Sequence, residues 1–194
     1  MEKVILATTS PYRKEIFASL KIPFKVVASN VDESQLERNN PKELVKELAK
    51  MKAKAVSKNY KDNIVIGFDS VGFFEGKILE KPKSKEEAFK RLQSLSGKSH
   101  WHYTGIYITN NKLDRAVSKV NETEIFMRKY SDKEIEAYLE KEVEFKNFAL
   151  GYDTEKCLSA SFIERIKGNH LNLKGIPLSP VIIMLEEVGY NNQA

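Results

Sequence analysis

The sequence predicts a mixed α/β fold, and three observations support this prediction. Short apolar runs typical of strands alternate with segments that have the apolar spacing of helices. Proline, serine and glycine stand at the boundaries between these segments. The 194 residues are 41% hydrophobic and 30% charged, which is ordinary for a globular protein with a real core. We therefore expect one domain over residues 1–194, made of two closely packed lobes, with a long mixed β-sheet curving between them.

The first part of the chain alternates strands and helices. Residues 3–9 predict a buried strand, residues 11–20 a helix and residues 23–29 a second strand. A polar loop follows, and Pro41 opens a long helix to about Ser57. The apolar face of that helix is predicted to contain Leu44, Val45, Leu48, Met51 and Ala55.

The next segment, residues 63–82, predicts a strand, an acidic corner and then a hairpin that turns at Glu75 and Gly76. Ser84 is expected to cap a helix that ends at Gly97. Residues 99–109 and 116–130 alternate as antiparallel strands do, and Ser131 precedes a capped helix. Residues 159–169 predict another strand, and residues 176–190 a closing helix.

Composition excludes several classes of protein. No apolar run approaches the ~20 residues that span a bilayer, and the start lacks the pattern of a secretory signal. The single cysteine, Cys157, rules out an internal disulfide framework, so we expect a cytoplasmic location. Three histidines without ligand spacing do not predict a zinc site. The net charge of +5 permits an anionic partner, but no aromatic-rich basic pattern predicts nucleic-acid binding.

The first strand-to-helix junction, TTSPYRKE, is unusual in its charge. A helix that begins at Ser10 and Pro11 points free backbone N–H groups beyond the strand end, which favours an anion. Arg13 and Lys14 have the wrong sign for this helix terminus, and a bound phosphate would offset that cost. The alternative is an ordinary serine cap whose two cations face water, and the stretch alone leaves both open.

Carboxylates define a second candidate feature. Asp69 follows an apolar run, where open α/β sheets collect ligands beyond the strand ends. It is a candidate metal ligand, base for water or solvated turn residue. Glu33 lies in the loop after the second strand and could hold Mg²⁺ together with Asp69. Lys52 in the long helix and Lys81 after the hairpin would suit a polyphosphate if they converge.

Other chemistries have less support. The sequence contains no P-loop motif, no G-x-G-x-x-G motif and no G-x-S-x-G motif. Cys157 has no nearby histidine or cysteine and is predicted to be a core residue. The pair Thr104 and Gly105 predicts either a strand kink or a close approach of backbone to a ligand.

Together these pieces resemble the Maf family of nucleoside triphosphate pyrophosphatases. The resemblance covers nearly the whole chain, in order, through LATTSPYRKE, VDES, PKELVKELAKMKAKAV, VIGFDSV, GKILEKP, YTGI, SDKEIEAYL, FIERIKGN and GIPL. It implies a Maf/ITPase-like fold, with a curved mixed sheet, flanking helices and a cleft between two lobes, and a homodimer. It also implies Mg²⁺- or Mn²⁺-dependent hydrolysis of a nucleoside triphosphate to the monophosphate and pyrophosphate.

The resemblance assigns roles to individual residues. Ser10, Arg13, Lys52 and Lys81 match the positions that bind the substrate phosphates, and Glu33 matches the acidic loop. Asp69 matches the carboxylate thought to act as general base; whether it takes a proton or orients a water as a metal-bound carboxylate stays open. With Mg²⁺ and the lysines neutralising charge, water would attack in line.

Base specificity is where the sequence departs from the family. The branch that favours dTTP and UTP has Arg, Thr and Gln at three positions, and the branch that favours 7-methyl-GTP has Trp or a similar residue, Gln and Glu. Here these positions contain Tyr12, Ser70 and a late-loop residue, which is Lys156 without gaps or Glu155 with a one-residue shift. The preferred base is therefore not predicted.

The alternatives to the pyrophosphatase function are a non-catalytic nucleotide- or nucleic-acid-binding protein linked to septum formation, and a different phosphate-ester hydrolase.

Overall fold

The computed structural model describes residues 4–141, 143–148, 150–154 and 158–191. Within those residues there are seven strands and five α-helices. The strands are β1 Val4–Ala7, β2 Phe24–Val27, β3 Ile64–Phe74, β4 Lys77–Leu79, β5 Ser99–Asn110, β6 Arg115–Met127 and β7 Ile163–Gly168. The α-helices are α1 Pro11–Ala18, α2 Pro41–Ser57, α3 Lys85–Leu95, α4 Asp132–Lys141 and α5 Leu178–Glu187. None of the helices in the described ranges is both long and apolar enough for a membrane span.

The strands form one mixed sheet, as the sequence predicts. Strand order is β2-β1-β3-β5-β6-β7, and β4 pairs with β3. Strand β1 is parallel to both β2 and β3, whereas the pairs β3–β4 and β6–β7 are antiparallel. The prediction of a mixed α/β fold with flanking helices is confirmed.

The chain divides into two compact units. Unit 1 contains Met1–Ser70, Thr104–Asn121 and Lys174–Ala194, and unit 2 contains Val71–Tyr103 and Glu122–Leu173. That these units form one domain enclosing a cleft stays a prediction.

In unit 1, successive residues of β1 and β3 face two different cores, because side chains alternate along a strand. Val4, Leu6 and Phe68 pack in a core with Phe17 of α1 and residues of α5. Ile5, Ala7 and Val65 point the other way and pack against Ala53 and Val56 of α2. The central strands of unit 1 are thus covered by helices on both faces.

Helix α2 lies against unit 1 strands at two glycines. A Cβ at Gly67 would overlap the carbonyl oxygen of Ala49, and a Cβ at Gly105 would overlap that of Val45. The sequence analysis offers a strand kink or an approach of backbone to a ligand at Gly105, whereas the close contact in the structure is with the backbone of helix α2.

The same close packing corrects the predicted apolar face of α2. Leu44, Val45 and Leu48 are buried as predicted, but Met51 and Ala55 are only partly buried. The face continues instead through Ala49, Ala53 and Val56. Small side chains stand at the contact because the helix backbone lies so near the strands.

In unit 2, α3 and α4 pack against each other over a core that includes Leu92, Ile135 and Phe162. Most predicted boundaries in this unit are confirmed. Ser84 caps α3, Gly97 follows α3 with φ +71°, and Ser131 forms the capping box with Glu134.

Two predicted elements differ from the structure. Residues 158–162 form a 3₁₀ helix, so β7 begins at Ile163 rather than near Ser159. Strand β3 runs without a corner through Asp69 to the hairpin, which turns at Glu75 and Gly76 as predicted. The corner prediction is wrong because the pairing of β1 with β3 ends at Ala7 and Gly67, whereas β3 itself continues.

Candidate functional site

The start of α1 is built as the sequence predicts. Ser10 is the N-cap, and its Oγ accepts a hydrogen bond from the backbone N–H of Arg13 at 3.4 Å. The N–H of Ser10 in turn donates to Oγ1 of Thr8 at 3.1 Å, and Pro11 occupies the first helical position. That Ser10 binds a phosphate stays a prediction.

Asp69 lies in β3, next to Phe68, whose carbonyl accepts a hydrogen bond from Arg13 of α1. Because β1 ends at Ala7, opposite Gly67, residue 69 lies past the carboxyl end of β1 although it is within β3. The strand end at which the sequence predicts a site is therefore the end of β1, because β3 continues past Asp69.

Three charged side chains of unit 1 form what we call the acid–base cluster: Glu33, Lys52 and Asp69. Nζ of Lys52 donates to Oδ1 of Asp69 at 2.6 Å and lies 2.8 Å from Oε1 of Glu33. The Lys52 and Asp69 side chains are 15% and 12% exposed, whereas Glu33 is 40% exposed. One ammonium therefore bridges a buried carboxylate and a more accessible one.

Burial dominates the electrostatics of Asp69. Desolvation raises the pKa of its carboxyl above the ordinary value, and Lys52 acts in the opposite direction through its charge and its hydrogen bond. The more distant charge of Arg13 also lowers this pKa, and that of Glu33 raises it. A carboxyl with a raised pKa beside a cation is a common property of catalytic bases.

The loop that carries Glu33 is shaped by its neighbours. Oδ1 of Asp32 accepts from the backbone N–H and the hydroxyl of Ser34 at 2.9 and 2.7 Å. These bonds lower the pKa of the Asp32 carboxyl and form a turn around Glu33. The sequence predicts that Glu33 and Asp69 come together, and Lys52 joins them.

The donor set of the cluster suits a hard divalent cation. Within the described ranges, no group of three His, Cys, Asp or Glu side chains converges on one point. Mg²⁺ typically takes one or two carboxylates and completes its shell with water and substrate phosphate oxygens. Glu33 and Asp69 each place an oxygen within 2.8 Å of the ammonium of Lys52, so both carboxylates face the same cation, and that they hold a metal ion stays a prediction.

Arg13 is surrounded by acceptors from unit 1. Its Nε donates to the carbonyl of Gly175 at 2.9 Å, and NH1 donates to the carbonyl of Phe68 at 3.2 Å. NH2 donates to Oγ of Ser70 at 2.9 Å. Burial lowers the pKa of the guanidinium, and the Asp69 and Glu33 carboxylates oppose this effect. The bidentate phosphate contact predicted for Arg13 stays a prediction, but all three nitrogens already have protein partners.

The candidate base-reading residues differ in their surroundings. Tyr12 is partly buried, with Nζ of Lys174 5.0 Å from the centre of its ring. Ser70 Oγ accepts from Arg13 and lies 2.8 Å from Oγ1 of Thr104. Glu155 and Lys156, together with Cys157, lie outside the described residues. Base reading by any of these residues stays a prediction.

Lys81 belongs to unit 2, where it is exposed in the segment between β4 and α3. Its participation with Ser10, Lys52 and Asp69 stays a prediction. Sequence reasoning missed Thr8 and Gly175 as members of the site. The cluster of hydroxyls before Pro11 is a signal for Thr8, and the GIPL motif is a signal for Gly175.

Comparison with known proteins identifies the family. The profile of the family described as Maf-like protein matches residues 3–188. A dTTP/UTP pyrophosphatase of Thermoanaerobacter sp. (strain X514) is 36% identical over 190 residues, which is 95% of each chain. One of Bacillus anthracis (strain CDC 684 / NRRL 3495) is 36% identical over 188 residues, or 96% of each chain. The chain belongs to the Maf family, as its motifs predict.

Structural comparison finds partial overlap with two solved proteins. The Ham1 protein of Staphylococcus aureus has a TM-score of 0.44 at 16% identity, over 68% of this chain and 73% of that one. A HAM1 protein of Coxiella burnetii has a TM-score of 0.45 at 17% identity, over 66% and 73% respectively.

Proposed function

We propose that this chain hydrolyses the α–β phosphoanhydride bond of a nucleoside 5′-triphosphate, giving the monophosphate and pyrophosphate. One observation carries the proposal: Lys52 joins the buried Asp69 to the accessible Glu33, past the end of the strand that leads into the capped start of α1. This combines a candidate base, a cation and an anion-binding helix terminus in one unit. The names of the curated relatives support the same reaction.

Asp69 is the proposed general base. Its carboxylate accepts a proton from water as the water oxygen bonds to the α-phosphorus, and the bond from that phosphorus to the bridging oxygen breaks as pyrophosphate leaves. The raised pKa of Asp69 favours this role over that of a passive counter-ion, because a stronger base takes the proton more readily.

Phosphate binding falls to the N–H groups at the start of α1 and to lysines. Ser10 caps the start of α1, where its hydroxyl oxygen accepts a hydrogen bond from the backbone N–H of Arg13. Lys52 holds Asp69 and neutralises charge beside it. Lys81 contributes a further cation to the polyphosphate. Arg13, in the first turn of α1, is the remaining proposed phosphate-binding residue.

A divalent cation, Mg²⁺ or Mn²⁺, completes the proposal. Glu33 and Asp69 would hold it, and it would supply charge neutralisation for the phosphates. Removal of divalent cations with a chelator is therefore expected to abolish turnover, and added Mg²⁺ or Mn²⁺ to restore it.

Fewer observations support a proposal about the preferred nucleotide base. The names of these relatives make dTTP and UTP the first substrates to test. Tyr12, Ser70, Glu155 and Lys156 are the proposed base-reading positions, and they match neither family branch fully. Methylated and other modified triphosphates belong in the same panel.

The test is a product-resolved turnover screen. Purified protein is incubated with each triphosphate and Mg²⁺ or Mn²⁺, and nucleotides, pyrophosphate and phosphate are quantified. We expect equal amounts of monophosphate and pyrophosphate from at least one substrate. Binding without turnover would favour the non-catalytic alternative, and release of inorganic phosphate would favour a different phosphate-ester hydrolase. Steeply salt-dependent DNA binding would favour a nucleic-acid-binding role.

Assembly and location are also proposals. The homodimer implied by the family resemblance can be tested by light scattering of the purified protein. The expected cytoplasmic location can be tested by fractionation of cells.

A further inference from the structure

Lys174 places a positive charge beside the first turn of α1. Its Nζ lies 5.0 Å from the centre of the ring of Tyr12, the residue that directly precedes Arg13. An ammonium at this distance from a ring face is attracted by the negative charge of the π-system. Both side chains are partly buried, so salt and water screen this charge less than they would on an open surface.

The main chain also holds Lys174 at this place. Lys174 begins the last segment of unit 1 and directly precedes Gly175, whose carbonyl accepts from Nε of Arg13 at 2.9 Å. Gly175 has φ +73°, and a Cβ there would lie 2.9 Å from Oγ of Ser70. The loop therefore packs directly against two residues of the site, and Lys174 is anchored by its backbone as well as by its ammonium.

These contacts put Lys174 among the proposed base-reading residues. Tyr12 lies under its ammonium, and Ser70 contacts the glycine that follows it. Nucleobases stack on the faces of aromatic side chains, and the Tyr12 ring stands one residue from a proposed phosphate-binding side chain. A base that stacks on Tyr12 is therefore close to a fixed positive charge, on whichever face of the ring it lies.

A fixed charge at this place discriminates between bases by their own charge. Uracil, thymine and guanine are neutral, whereas methylation of guanine at N7 gives the ring a positive charge. An aromatic face with no other cation beside it attracts such a base. Here the ammonium of Lys174 already interacts with the ring and repels a second cation. A neutral base meets no such repulsion.

We propose that Lys174 is a specificity-determining residue, which excludes nucleotides with a cationic base and admits those with a neutral base. This inference rests on the proposed function, in which Tyr12 and Ser70 face the base of the nucleotide. It concerns the choice of base alone. The residues proposed to act on the phosphates, Arg13 among them, keep those roles.

A matched pair of ligands isolates the charge of the base. Guanosine and 7-methylguanosine triphosphates with a non-hydrolysable α–β link differ only in the methyl group and its charge, and calorimetry measures their Kd values. For the wild-type protein we expect the 7-methyl ligand to bind about 10-fold more weakly.

Substitutions at residue 174 then vary the charge of the protein. Lys174→Met should bring the two Kd values within about 3-fold of each other, because the repulsion is lost. Lys174→Glu should reverse the preference, since a carboxylate attracts the cationic base. Lys174→Arg keeps the charge and should keep the wild-type ratio, which shows that the charge and not the shape of the side chain decides.

Lys25→Met is the matched control. Lys25 of β2 lies over the ring of Tyr60 at the same distance, 5.0 Å, and it is exposed in the strand opposite Ile5 of β1. Its loss also removes one positive charge and one cation–π contact from unit 1. The ratio of the two Kd values should nevertheless stay at the wild-type value. Unfolding midpoints show that each variant is folded at the temperature of the measurement.

Turnover separates this inference from the proposed function. Pyrophosphate release from UTP or dTTP tests the reaction, whereas the ratio of Kd values tests the choice of base and needs no turnover. If the wild-type protein releases no pyrophosphate from any triphosphate, the proposed function fails, whatever the ratio does. If pyrophosphate is released but Lys174→Met and Lys174→Glu leave the ratio unchanged, the inference is overturned and the proposed function stands.

Two further outcomes would overturn the inference. Equal weakening of both ligands in Lys174→Met, with a constant ratio, would make Lys174 a phosphate-binding cation instead. Tighter binding of the 7-methyl ligand to the wild-type protein, or no measurable binding of either ligand to any of the four proteins with different residues at 174, would mean that this charge does not select the base.

Discussion

The two compact units differ in the polar groups that they bury. Unit 1 buries charges that contact one another, with Asp69 bonded to Lys52 and Arg13 held by main-chain and hydroxyl acceptors. Unit 2 also buries one acidic residue, Asp153, but its buried histidine–tyrosine pair stays neutral: Nε2 of His100 lies 2.8 Å from the hydroxyl of Tyr152, and both residues are buried. Burial lowers the pKa of His100 to about 4 and raises that of Tyr152 well above its ordinary value.

The difference indicates where chemistry is to be expected. A buried charge is costly unless it is paired, so a cluster of charges is retained where it has a use or a strong network. In the pair of His100 and Tyr152, Nε2 is hydrogen-bonded whereas Nδ1 is buried without a partner, but a neutral ring carries no charge that needs pairing. We therefore expect substitutions in the acid–base cluster to affect turnover, and those at His100 to affect stability alone.

The largest expected effect is that of Asp69→Asn. Asparagine has nearly the same shape but cannot accept the proton, so turnover should fall by about 1,000-fold. Steady-state pyrophosphate release measures this, and the unfolding midpoint shows that the fold is kept. The exposed Asp62→Asn is the control, with wild-type activity expected. Activity of Asp69→Asn within a few-fold of wild type would remove Asp69 from the mechanism.

Lys52→Met should lower both activity and stability. Removing the ammonium leaves the buried Asp69 without its closest cation, which is expected to cost about 2–3 kcal/mol in the free energy of unfolding. Turnover should fall by about 100-fold. Lys54→Met, at an exposed position on the same helix, is the control.

The double variant Lys52→Met with Asp69→Asn sharpens this test. It should be less destabilised than the sum of the two single changes, because no buried charge is then left at position 69, and Glu33, which also loses Lys52, is the more accessible carboxylate. Additive losses would mean that the two side chains do not interact in solution.

His100 is expected to make stability depend on pH. Its pKa is about 4 in the folded protein against 6.5 in the unfolded chain, so between these values the unfolded chain binds a proton that the folded protein excludes. The free energy of unfolding is therefore highest above pH 6.5 with respect to His100. It is expected to fall by about 2 kcal/mol between pH 7 and pH 4.5.

Urea unfolding at the two pH values, with wild type and His100→Leu, measures this contribution. The variant should lose less stability on acidification, and its turnover per folded molecule at pH 7 should be unchanged. His170→Gln, at an exposed histidine, should keep the wild-type pH dependence. Loss of turnover in folded His100→Leu would contradict the contrast between the two units.

The smallest effect is expected at the capping box of α4. Hydrogen bonds from Arg128 and Ser131 lower the pKa of Glu134 to about 2 from 4.5. The stabilisation is present above pH 4.5 and is lost as pH falls toward 2. Glu134→Gln should therefore reduce the shift in unfolding midpoint between pH 5 and pH 3. The reduction should be slight, because the residue is at the surface. Glu136→Gln, on the same helix, should leave it unchanged.

The fold was predictable where local chemistry determines it. Caps at Ser10, Ser84 and Ser131 and the hairpin at Gly76 follow from residue types that satisfy particular backbone groups. The course of β3 through Asp69 was not predictable in the same way. Whether a strand continues past its neighbour depends on pairing with distant segments, which one residue pattern does not encode.

The site shows the same division. The chemistry of Glu33, Lys52 and Asp69 is visible in their residue types, and the family resemblance assigns them together. The contacts of Arg13 are not visible, because two of its acceptors are the carbonyls of Phe68 and Gly175, a group that every residue carries. Only the folded arrangement shows that a cation predicted for the substrate is already surrounded by the protein.

The most direct test of the central claim is the fate of the water oxygen. Wild-type protein is supplied with UTP or dTTP and a divalent cation in ¹⁸O-labelled water, and the products are separated and weighed by mass spectrometry. The account predicts monophosphate and pyrophosphate in equal amounts, with one labelled oxygen in the monophosphate and none in the pyrophosphate. Label in the pyrophosphate would contradict attack at the α-phosphorus. Release of a nucleoside diphosphate together with inorganic phosphate would contradict the proposed reaction itself.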